Sequence, residues 1–458
     1  MPTNSATQDC MPNITLILMA AGESRRFSQS FAHLGDLASE STAHNACVMI
    51  KKQWLRIGNK PLWLFVADTL NAMYPFVQIC IAGAPDEVAY MQKLCTYTIT
   101  EGGSSRQESV KKALEKVQSE WVLIHDVARF CVPESIIYAL INTLKCPESN
   151  TNPHTITTQD RITIDCVVPT LGVCDTILYN GEYIDREKIL RIQTPQLSRT
   201  AVLQKALDSQ EGSDESSIIK AFGGKVVYIQ GDERLEKITF AKDIQNLEFN
   251  TSFSTHSDMH YSYEPNLFIG NGLDVHGFDE NKVMKLGGIT ISNTPGFKAH
   301  SDGDVALHSL IDAILGAMGG GDIGEWFPDS DIRFKEADSS ELLAFVWHFA
   351  RSVGFTLHNV DITIIAQRPK LSSYKQTIRA NIARILNAPL SHINIKATTT
   401  ENLGFIGRSE GVCVMCSVTL RLITLSEVVM YFSHMRAKSS TYTSKHLCRF
   451  SPHYKGDQ

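Results

Sequence analysis

The chain has no long hydrophobic run. Its first apolar stretch, Ile14 to Ala21, is far short of the ~20 residues a bilayer-spanning helix needs and reads as a buried strand. It has no excess of basic charge either. Lys and Arg number 43 against 49 Asp and Glu, a net charge of −6, which argues against nucleic acid as the main partner. No membrane partner is expected. No secretory signal opens the chain, and its 11 cysteines are an odd number without framework spacing, so reduced thiols in the cytoplasm are expected. Cys413-Val-Met-Cys416 has no second pair and lies between strand-like flanks, so it reads as core packing rather than a zinc or redox site. There is no Gly-x-x-x-x-Gly-Lys-Ser/Thr loop, which removes a P-loop kinase activity, and there is no internal repeat.

What is present fits two domains, the prior for 458 residues. From residue 13 to 249, short apolar runs such as Ile14–Ala21, Val77–Ala82, Trp121–His125, Cys166–Pro169 and Lys225–Ile229 alternate with helical patterns. This predicts an α/β domain with a doubly wound, mostly parallel sheet. Residues 250–265, rich in Ser, Thr, His and Tyr, read as a linker. A second, α+β unit is predicted over 266–424. Its strands fall near Phe268–Val275, Leu357–Gln367, Ile393–Ala397 and Val412–Leu422, and its helices near Asp304–Ala317, Ser339–Val353 and Tyr374–Leu386. A basic, Ser/Tyr-rich tail at 425–458 has no assigned role.

The most specific chemistry lies in the second unit. In Asp274-Val275-His276 the two polar side chains are two apart, so an extended strand turns both to one side. His308 closes His300-Ser-Asp-Gly-Asp-Val-Ala-Leu-His308 in an apolar helical run that can bring a third ligand. Two histidines and a carboxylate with an open fourth position make a catalytic zinc-type set. Near it in sequence stand Gly321-Asp322-Ile323-Gly324, Phe327-Pro-Asp329-Ser-Asp331 and Gln367-Arg-Pro-Lys370. Further on come Lys396-Ala397-Thr398-Thr399-Thr400-Glu401 and Gly404-Phe405-Ile-Gly-Arg408. The threonines offer hydroxyls and backbone N–H groups to phosphates, and Glu401 can bind a second cation bridging those phosphates.

The first unit has a different signature. Ala20-Ala21-Gly22-Glu-Ser-Arg25-Arg26 follows the first strand. A small-residue turn lets backbone N–H groups approach phosphate, and a following helix N-terminus favours anions. Later stations are Lys52-Gln-Trp-Leu, Gly102-Gly103-Ser-Ser-Arg106-Gln-Glu-Ser109, His125-Asp126-Val-Ala-Arg129, Thr194-Pro-Gln196 and Glu236-Lys237-Ile-Thr239. They supply cations for phosphates, an acid for a metal ion, and small residues for close approach.

Those stations, in that order, resemble the 2-C-methyl-D-erythritol 4-phosphate cytidylyltransferases over residues 13–249. The resemblance implies a Rossmann-like nucleotidyltransferase with CTP and methylerythritol phosphate as substrates. Ala20, Ala21, Gly22, Gly103 and Ser109 would hold CTP, and Arg26 and Lys52 would stabilise charge on its α-phosphate. Asp126 would help hold Mg²⁺, while Arg129, Thr176, Arg186 and Lys237 would position the methylerythritol phosphate. Three features depart from the family's pattern. The stretch between Arg26 and Lys52 is longer and carries a polar insert at 28–47, expected to be flexible. The family's His-Asp-Ala-Ala-Arg-Pro stands here as His125-Asp-Val-Ala-Arg-Phe130. The acid expected before Lys237 falls on Arg234, leaving Asp232 or Glu233 to replace it.

Residues 266–424 resemble the 2-C-methyl-D-erythritol 2,4-cyclodiphosphate synthases. That resemblance implies a homotrimer, or a higher homo-oligomer, with active sites between subunits. Asp274, His276 and His308 would bind a Zn²⁺-like ion, and Glu401 an Mg²⁺ or Mn²⁺. His300, Ser301, Asp322, Ile323, Gly324, Phe327, Asp329 and Asp331 would line the diol pocket. Lys370, Ala397, Thr398, Thr399, Thr400, Phe405 and Arg408 would take the phosphate and cytidine end. The two resemblances belong to one route, the non-mevalonate pathway to isoprenoids. A sugar-1-phosphate nucleotidylyltransferase joined to an unrelated metal domain, and an inactive trimeric scaffold, are the rival readings.

Overall fold

The computed structural model describes residues 11–35, 50–145, 164–240, 243–244, 267–299, 301–334, 336–423 and 427–428. It divides into two compact units, Met1–Arg25 with Lys60–Ser252 and Arg26–Asn59 with Phe253–Gln458. The linker at 250–265, His300 and nearly all of the tail lie outside the described residues.

The first unit is built on one sheet. Its strands are β1 (Ile14–Met19), β4 (Gln78–Gly83), β5 (Thr98–Glu101), β6 (Trp121–Asp126), β7 (Cys166–Gly172), β10 (Leu190–Ile192), β11 (Gln196–Arg199) and β12 (Val226–Gln230). The order is β10-β7-β11-β6-β1-β4-β5, with β12 also paired to β7. β1 runs parallel to both β4 and β6, and Ile14, Leu16, Ile17 and Leu18 are all buried. Burial without alternation is what a strand covered on both faces requires. The covering helices are α2 (Leu62–Met73), α3 (Val88–Leu94), α4 (Arg106–Leu114), α5 (Glu134–Lys145), α6 (Thr200–Ser209) and α7 (Glu215–Ala221).

In the far part of this sheet β10 and β11 run antiparallel to β7, while β12 runs parallel to it. From β7 the chain passes through an exposed ribbon, β8 (Ile177–Tyr179) and β9 (Glu182–Ile184), and returns along β7 with no crossover helix. A return without a crossover has to be antiparallel.

The second unit holds a five-stranded sheet in the order β14-β13-β17-β15-β16. The strands are β13 (Leu267–Leu286), β14 (Ile289–Phe297), β15 (Phe355–Ile365), β16 (Ile393–Thr398) and β17 (Gly411–Leu422). β13 continues well beyond the expected Val275, and β14, unread in the sequence, returns beside it. The helices are α8 (Val305–Met318), α9 (Ile323–Trp326), α10 (Ser339–Ser352), α11 (Lys375–Leu386) and α12 (Gly404–Gly407). Along β13, Gly270, Gly272, Asp274 and His276 share one face, while Ile269, Leu273 and Val275 on the other are exposed. α8 lies directly on the first face. A Cβ on Gly270 would fall 1.9 Å from the Ala313 carbonyl oxygen, and one on Gly272 1.9 Å from that of Ser309. Ser309 Oγ also donates to the Gly272 carbonyl at 3.1 Å.

Asp304 holds the start of α8. It is fully buried, and its carboxylate accepts from Ala306 and Leu307 within the helix and from Gly287 and Gly288 in the β13–β14 turn. Arg26–Asn59 contributes most of α1 (Arg25–Gly35), a 3-10 turn at Lys52–Trp54 and β2 (Arg56–Ile57), while β3 (Lys60–Pro61) opens the rest of the first unit. The insert expected to be flexible from residue 28 therefore begins inside a helix, for which Phe27, Phe31 and Leu34 supply the apolar spacing. Its remainder, 36–47, lies outside the described residues.

Among the described residues no helix is long and apolar enough to cross a membrane. Cys413 and Cys416 are free and buried in β17, as the packing reading expected.

Gly272→Ala should push α8 off β13. Overpacking of this kind costs about 1–3 kcal/mol, to be read as a lower urea midpoint for the second unit. An unchanged midpoint would mean that strand and helix separate freely.

Candidate active sites

In the first unit, the C-terminal ends of the parallel strands bring several expected residues together. Such ends are where open α/β sheets bind ligands. Ala20 N–H donates to the Ala82 carbonyl at 2.9 Å, and Gly102 N–H to that of Gly83 at 2.8 Å. A Cβ on Gly102 would lie 2.6 Å from the Ala21 Cβ, so the loops after β1 and β5 touch only because position 102 has no side chain. Ser109 Oγ accepts from Gly103 N–H at 2.9 Å and donates to the Ser105 carbonyl at 2.9 Å. Gly22 is exposed beside them.

Asp126 ends β6, nearly buried between two cations. Lys237 Nζ is 2.6 Å from Oδ2, and Arg106 Nε is 3.3 Å from Oδ1. Arg106 also grips Glu215 with two bonds, at 2.6 and 3.1 Å. Burial alone would raise the Asp126 carboxyl, but Arg106 and then Lys237 hold it well below the usual range. Arg106 stood inside the Gly102–Ser109 motif, yet its pairing with an acid more than a hundred residues away leaves no local signal. Arg129 donates to the Leu235 carbonyl. Of the two candidate replacement acids, Asp232 pairs with Arg234 at 2.7 Å and Glu233 with Arg191 at 2.8 Å. Thr176 and Arg186 flank the exposed β8–β9 ribbon, Thr176 just before β8 and Arg186 in a 3-10 turn after β9, where it donates to the Cys174 carbonyl at 2.7 Å. Arg26, exposed on α1, and Lys52, half-buried in its turn, fall in the second unit.

The second unit gathers Asp274, His276 and His308. One ligand atom from each lies within 4.8 Å of the others, and no other such metal-competent group occurs among the described residues. Asp274 Oδ2 is 3.2 Å from His276 Nε2 and 3.3 Å from His308 Nδ1. His276 Nδ1 is 2.9 Å from the Gly303 carbonyl, which can only accept, so Nδ1 carries the hydrogen and Nε2 offers a lone pair. Asp274 Oδ2 is buried without a hydrogen-bond donor. Burial disfavours charge on both residues, yet their mutual attraction lowers the Asp274 carboxyl and raises the His276 imidazole. Lone pairs converging on an orphaned carboxylate oxygen fit a cation.

A cavity of about 480 Å³ opens at this cluster. His276, His308, Ser301, Ile323, Gly324, Phe327, Asp329 and Ser330 line it, all within the motifs singled out in the sequence, joined by Lys298, Ala299, Ile332, Phe334 and Leu342, which sequence reading did not single out. Lys298 and Ala299 reach the cavity from the segment after β14, Ile332 and Phe334 from a 3-10 turn, and Leu342 from α10. Asp322 instead caps α9, accepting from Glu325 N–H at 3.0 Å, and Asp331 pairs with Arg333. The phosphate and cytidine set stands elsewhere on the surface. Lys370, Ala397, Thr398, Thr399, Glu401, Phe405 and Arg408 are exposed, Thr400 is half-buried, and none lines the cavity. Thr399 Oγ1 donates to Glu401 at 2.8 Å, and Arg408 pairs with Glu410 at 2.8 Å.

Comparison with known proteins assigns a family to each part of the chain. Residues 44–252 match the 2-C-methyl-D-erythritol 4-phosphate cytidylyltransferase family, and residues 267–421 the YgbB family. The bifunctional enzyme IspD/IspF of Campylobacter jejuni subsp. jejuni serotype O:23/36 is 44% identical over 413 residues, covering 90% of this chain and 98% of its own. The chain belongs to the bifunctional IspD/IspF family. A Wolinella succinogenes bifunctional enzyme IspD/IspF is 43% identical over 416 residues, covering 90% of this chain and 97% of its own. The solved structure of the bifunctional IspDF from Campylobacter jejuni matches with a TM-score of 0.71 at 43% identity, over 90% of this chain and 100% of that one. An IspD/IspF chain joins two activities of the non-mevalonate route, methylerythritol phosphate cytidylyl transfer and cyclodiphosphate synthesis.

One feature of the IspD half is titratable in a useful range. His125 is fully buried, its Nε2 2.9 Å from the Arg129 carbonyl and its Nδ1 3.1 Å from Thr194 Oγ1. Burial pushes its pKa down from 6.5 to about 4, against the pull of Asp126. Between those values the unfolded chain binds a proton that the folded one refuses. Stability from this residue is therefore present above the higher value and lost as pH falls toward the lower one, by on the order of 3 kcal/mol. Hydrogen exchange of β6 amides under urea at pH 7 and pH 4.5 should show that loss, and His125→Asn should flatten it. An equal slope in the variant would place the acid sensitivity elsewhere.

Proposed function

We propose that residues 13–249 carry the cytidylyl transfer and 266–424 the cyclisation, with 250–265 as the linker. The observation that carries this reading is the contrast between two anionic centres, Asp126 clasped by two cations and Asp274 facing two histidine nitrogens.

In the first half, the backbone around Ala20, Ala21, Gly22 and Gly103, with Ser109, cradles the CTP phosphates. A phosphate oxygen of methylerythritol phosphate attacks the α-phosphorus, and pyrophosphate leaves. Arg26 and Lys52 stabilise the charge that grows there, while Arg129, Thr176, Arg186 and Lys237 hold the attacking phosphate. Positioning and fixed charge suffice for this transfer, with no covalent protein intermediate. Asp126, kept ionised by its neighbours, is the residue to hold Mg²⁺.

In the second half, the substrate's 2-phosphate attacks the β-phosphorus and CMP leaves as the ring closes. His300, Ser301, Asp322, Ile323, Gly324, Phe327, Asp329 and Asp331 bind the diol end, and Lys370, Ala397, Thr398 to Thr400, Phe405 and Arg408 the phosphate and cytidine end. Asp274, His276 and His308 would hold a Zn²⁺-like ion, and Glu401 an Mg²⁺ or Mn²⁺. When bound, such ions supply Lewis acidity to phosphoryl oxygens.

The two ends of this site do not meet in one unit, because the cytidine-end residues are exposed and absent from the cavity lining. A homotrimer with each site shared between neighbours completes it. The exposed apolar face of Ile269 (69%), Leu273 (59%), Val275 (42%) and Met415 (50%) is the surface such an assembly would cover. The free cysteines suit the cytoplasm.

The direct test supplies CTP and methylerythritol phosphate and identifies products by mass. CDP-methylerythritol and pyrophosphate are expected, and the separately supplied 2-phosphorylated derivative should yield the cyclodiphosphate and CMP. Activity on sugar 1-phosphates alone would overturn the assignment. Lys52→Ala should slow cytidylyl transfer by roughly 10² or more, the usual loss on removing a preorganised charge donor, and leave cyclisation intact. His276→Ala should lower the bound-metal content and stop cyclisation while CTP turnover continues. Unchanged metal content in His276→Ala would defeat the ligand assignment.

A further inference from the structure

We infer that Ser339, anchored by Asp302, fixes the ring tautomer of His308 so that Nδ1 is the nitrogen offered to a metal ion. The inference rests on the metal reading of Asp274, His276 and His308.

His308 Nε2 lies 2.9 Å from Ser339 Oγ and 3.2 Å from Ser301 Oγ. A histidine nitrogen and a hydroxyl can each donate or accept, so the pair alone decides nothing. The next contact decides it. Ser339 Oγ is 2.5 Å from Asp302 Oδ1. A carboxylate only accepts, so the single proton of Ser339 points at Asp302. What remains on Ser339 Oγ is a lone pair, which can only accept from Nε2–H. With the hydrogen on Nε2, Nδ1 keeps its lone pair, 3.3 Å from Asp274 Oδ2. Ser301 is compatible with this, because its oxygen accepts from Gly303 N–H at 3.1 Å and has a second lone pair to accept from Nε2–H.

The relay is held from three segments. Lys285, near the end of β13, places Nζ 3.2 Å from Asp302 Oδ2 and 3.2 Å from Asp338 Oδ2. Ser339 N–H donates to Asp302 Oδ2 at 3.3 Å. Ser339 is completely buried as the first residue of α10, where its hydroxyl has no solvent to serve. Each metal-site histidine thus has its remote nitrogen committed, His276 to a backbone carbonyl and His308 to a serine–aspartate–lysine chain. Ser339 and Asp302 are positioning residues, acting through His308.

Such outer partners typically alter metal affinity by 10–100-fold when removed. The test uses the full-length protein and zinc. Competition with a chromophoric chelator should give Ser339→Ala a zinc dissociation constant at least tenfold above wild type, with cytidylyl transfer unchanged as a control for folding. ¹⁵N NMR of the zinc-loaded wild type should show His308 coordinated through Nδ1 and protonated at Nε2. Zinc on Nε2 overturns the relay whether or not the variant folds, as does an unchanged dissociation constant in Ser339→Ala. A wild-type protein that binds no divalent ion overturns the metal reading itself, an outcome distinct from a metal site indifferent to Ser339.

Discussion

The approach of α8 to β13 at Gly270 and Gly272 is the constraint on which the second unit depends. Helix backbone meets strand backbone there at a distance no Cβ allows. That contact sets how far His308 stands from the strand carrying Asp274 and His276. A wider spacing would spread the three ligands, and no adjustment of side-chain rotamers on a short aspartate could close the gap. Asp304 fixes the same helix from its other side by tying its first turn to the β13–β14 turn. Two glycines and one buried acid thus convert a local sequence pattern into a three-dimensional ligand set.

The two anionic centres solve the same electrostatic problem differently. Asp126 is paired with resident side chains, Arg106 and Lys237. Asp274 Oδ1 accepts from Val275 N–H, but Oδ2 faces the two imidazoles with no hydrogen-bond donor of its own. Burying an acceptor without a donor carries a desolvation cost, and a cation relieves it. The first centre carries its own cations, whereas the second presents an acceptor that a bound cation would satisfy.

Much of this was legible because the chemistry sits in short contiguous motifs. Asp274-Val-His276 reveals its shared face through strand periodicity alone, and the buried β1 and β6 are visible as apolar runs. The antiparallel return along β7 was not, because Leu190–Ile192 and Gln196–Arg199 are too short to show a period. β14 was missed because Ile289–Phe297 alternates weakly and contains Pro295, which usually marks a break or an edge. Lys298, Ile332 and Phe334 enter the cavity from a loop and a 3-10 turn, where position depends on tertiary packing. Arg106 and Ser339 were hidden for another reason. Each acts through a partner distant in sequence, and nothing in a linear pattern states which hydroxyl or guanidinium will meet which acid.

The grouping of Arg26–Asn59 with the second unit bears on how the chain can be divided. Lys51 N–H donates to the Ser352 carbonyl, Ile50 lies against Gly354, and Ile50, Trp54 and Leu55 are wholly buried. A cut placed in the linker would therefore take from Ile50 its contact at Gly354, just before the turn that carries Lys52. Gene fragments designed from family boundaries alone would inherit an uncovered apolar side chain beside Lys52. The second unit thus includes a segment that the sequence places far ahead of the linker.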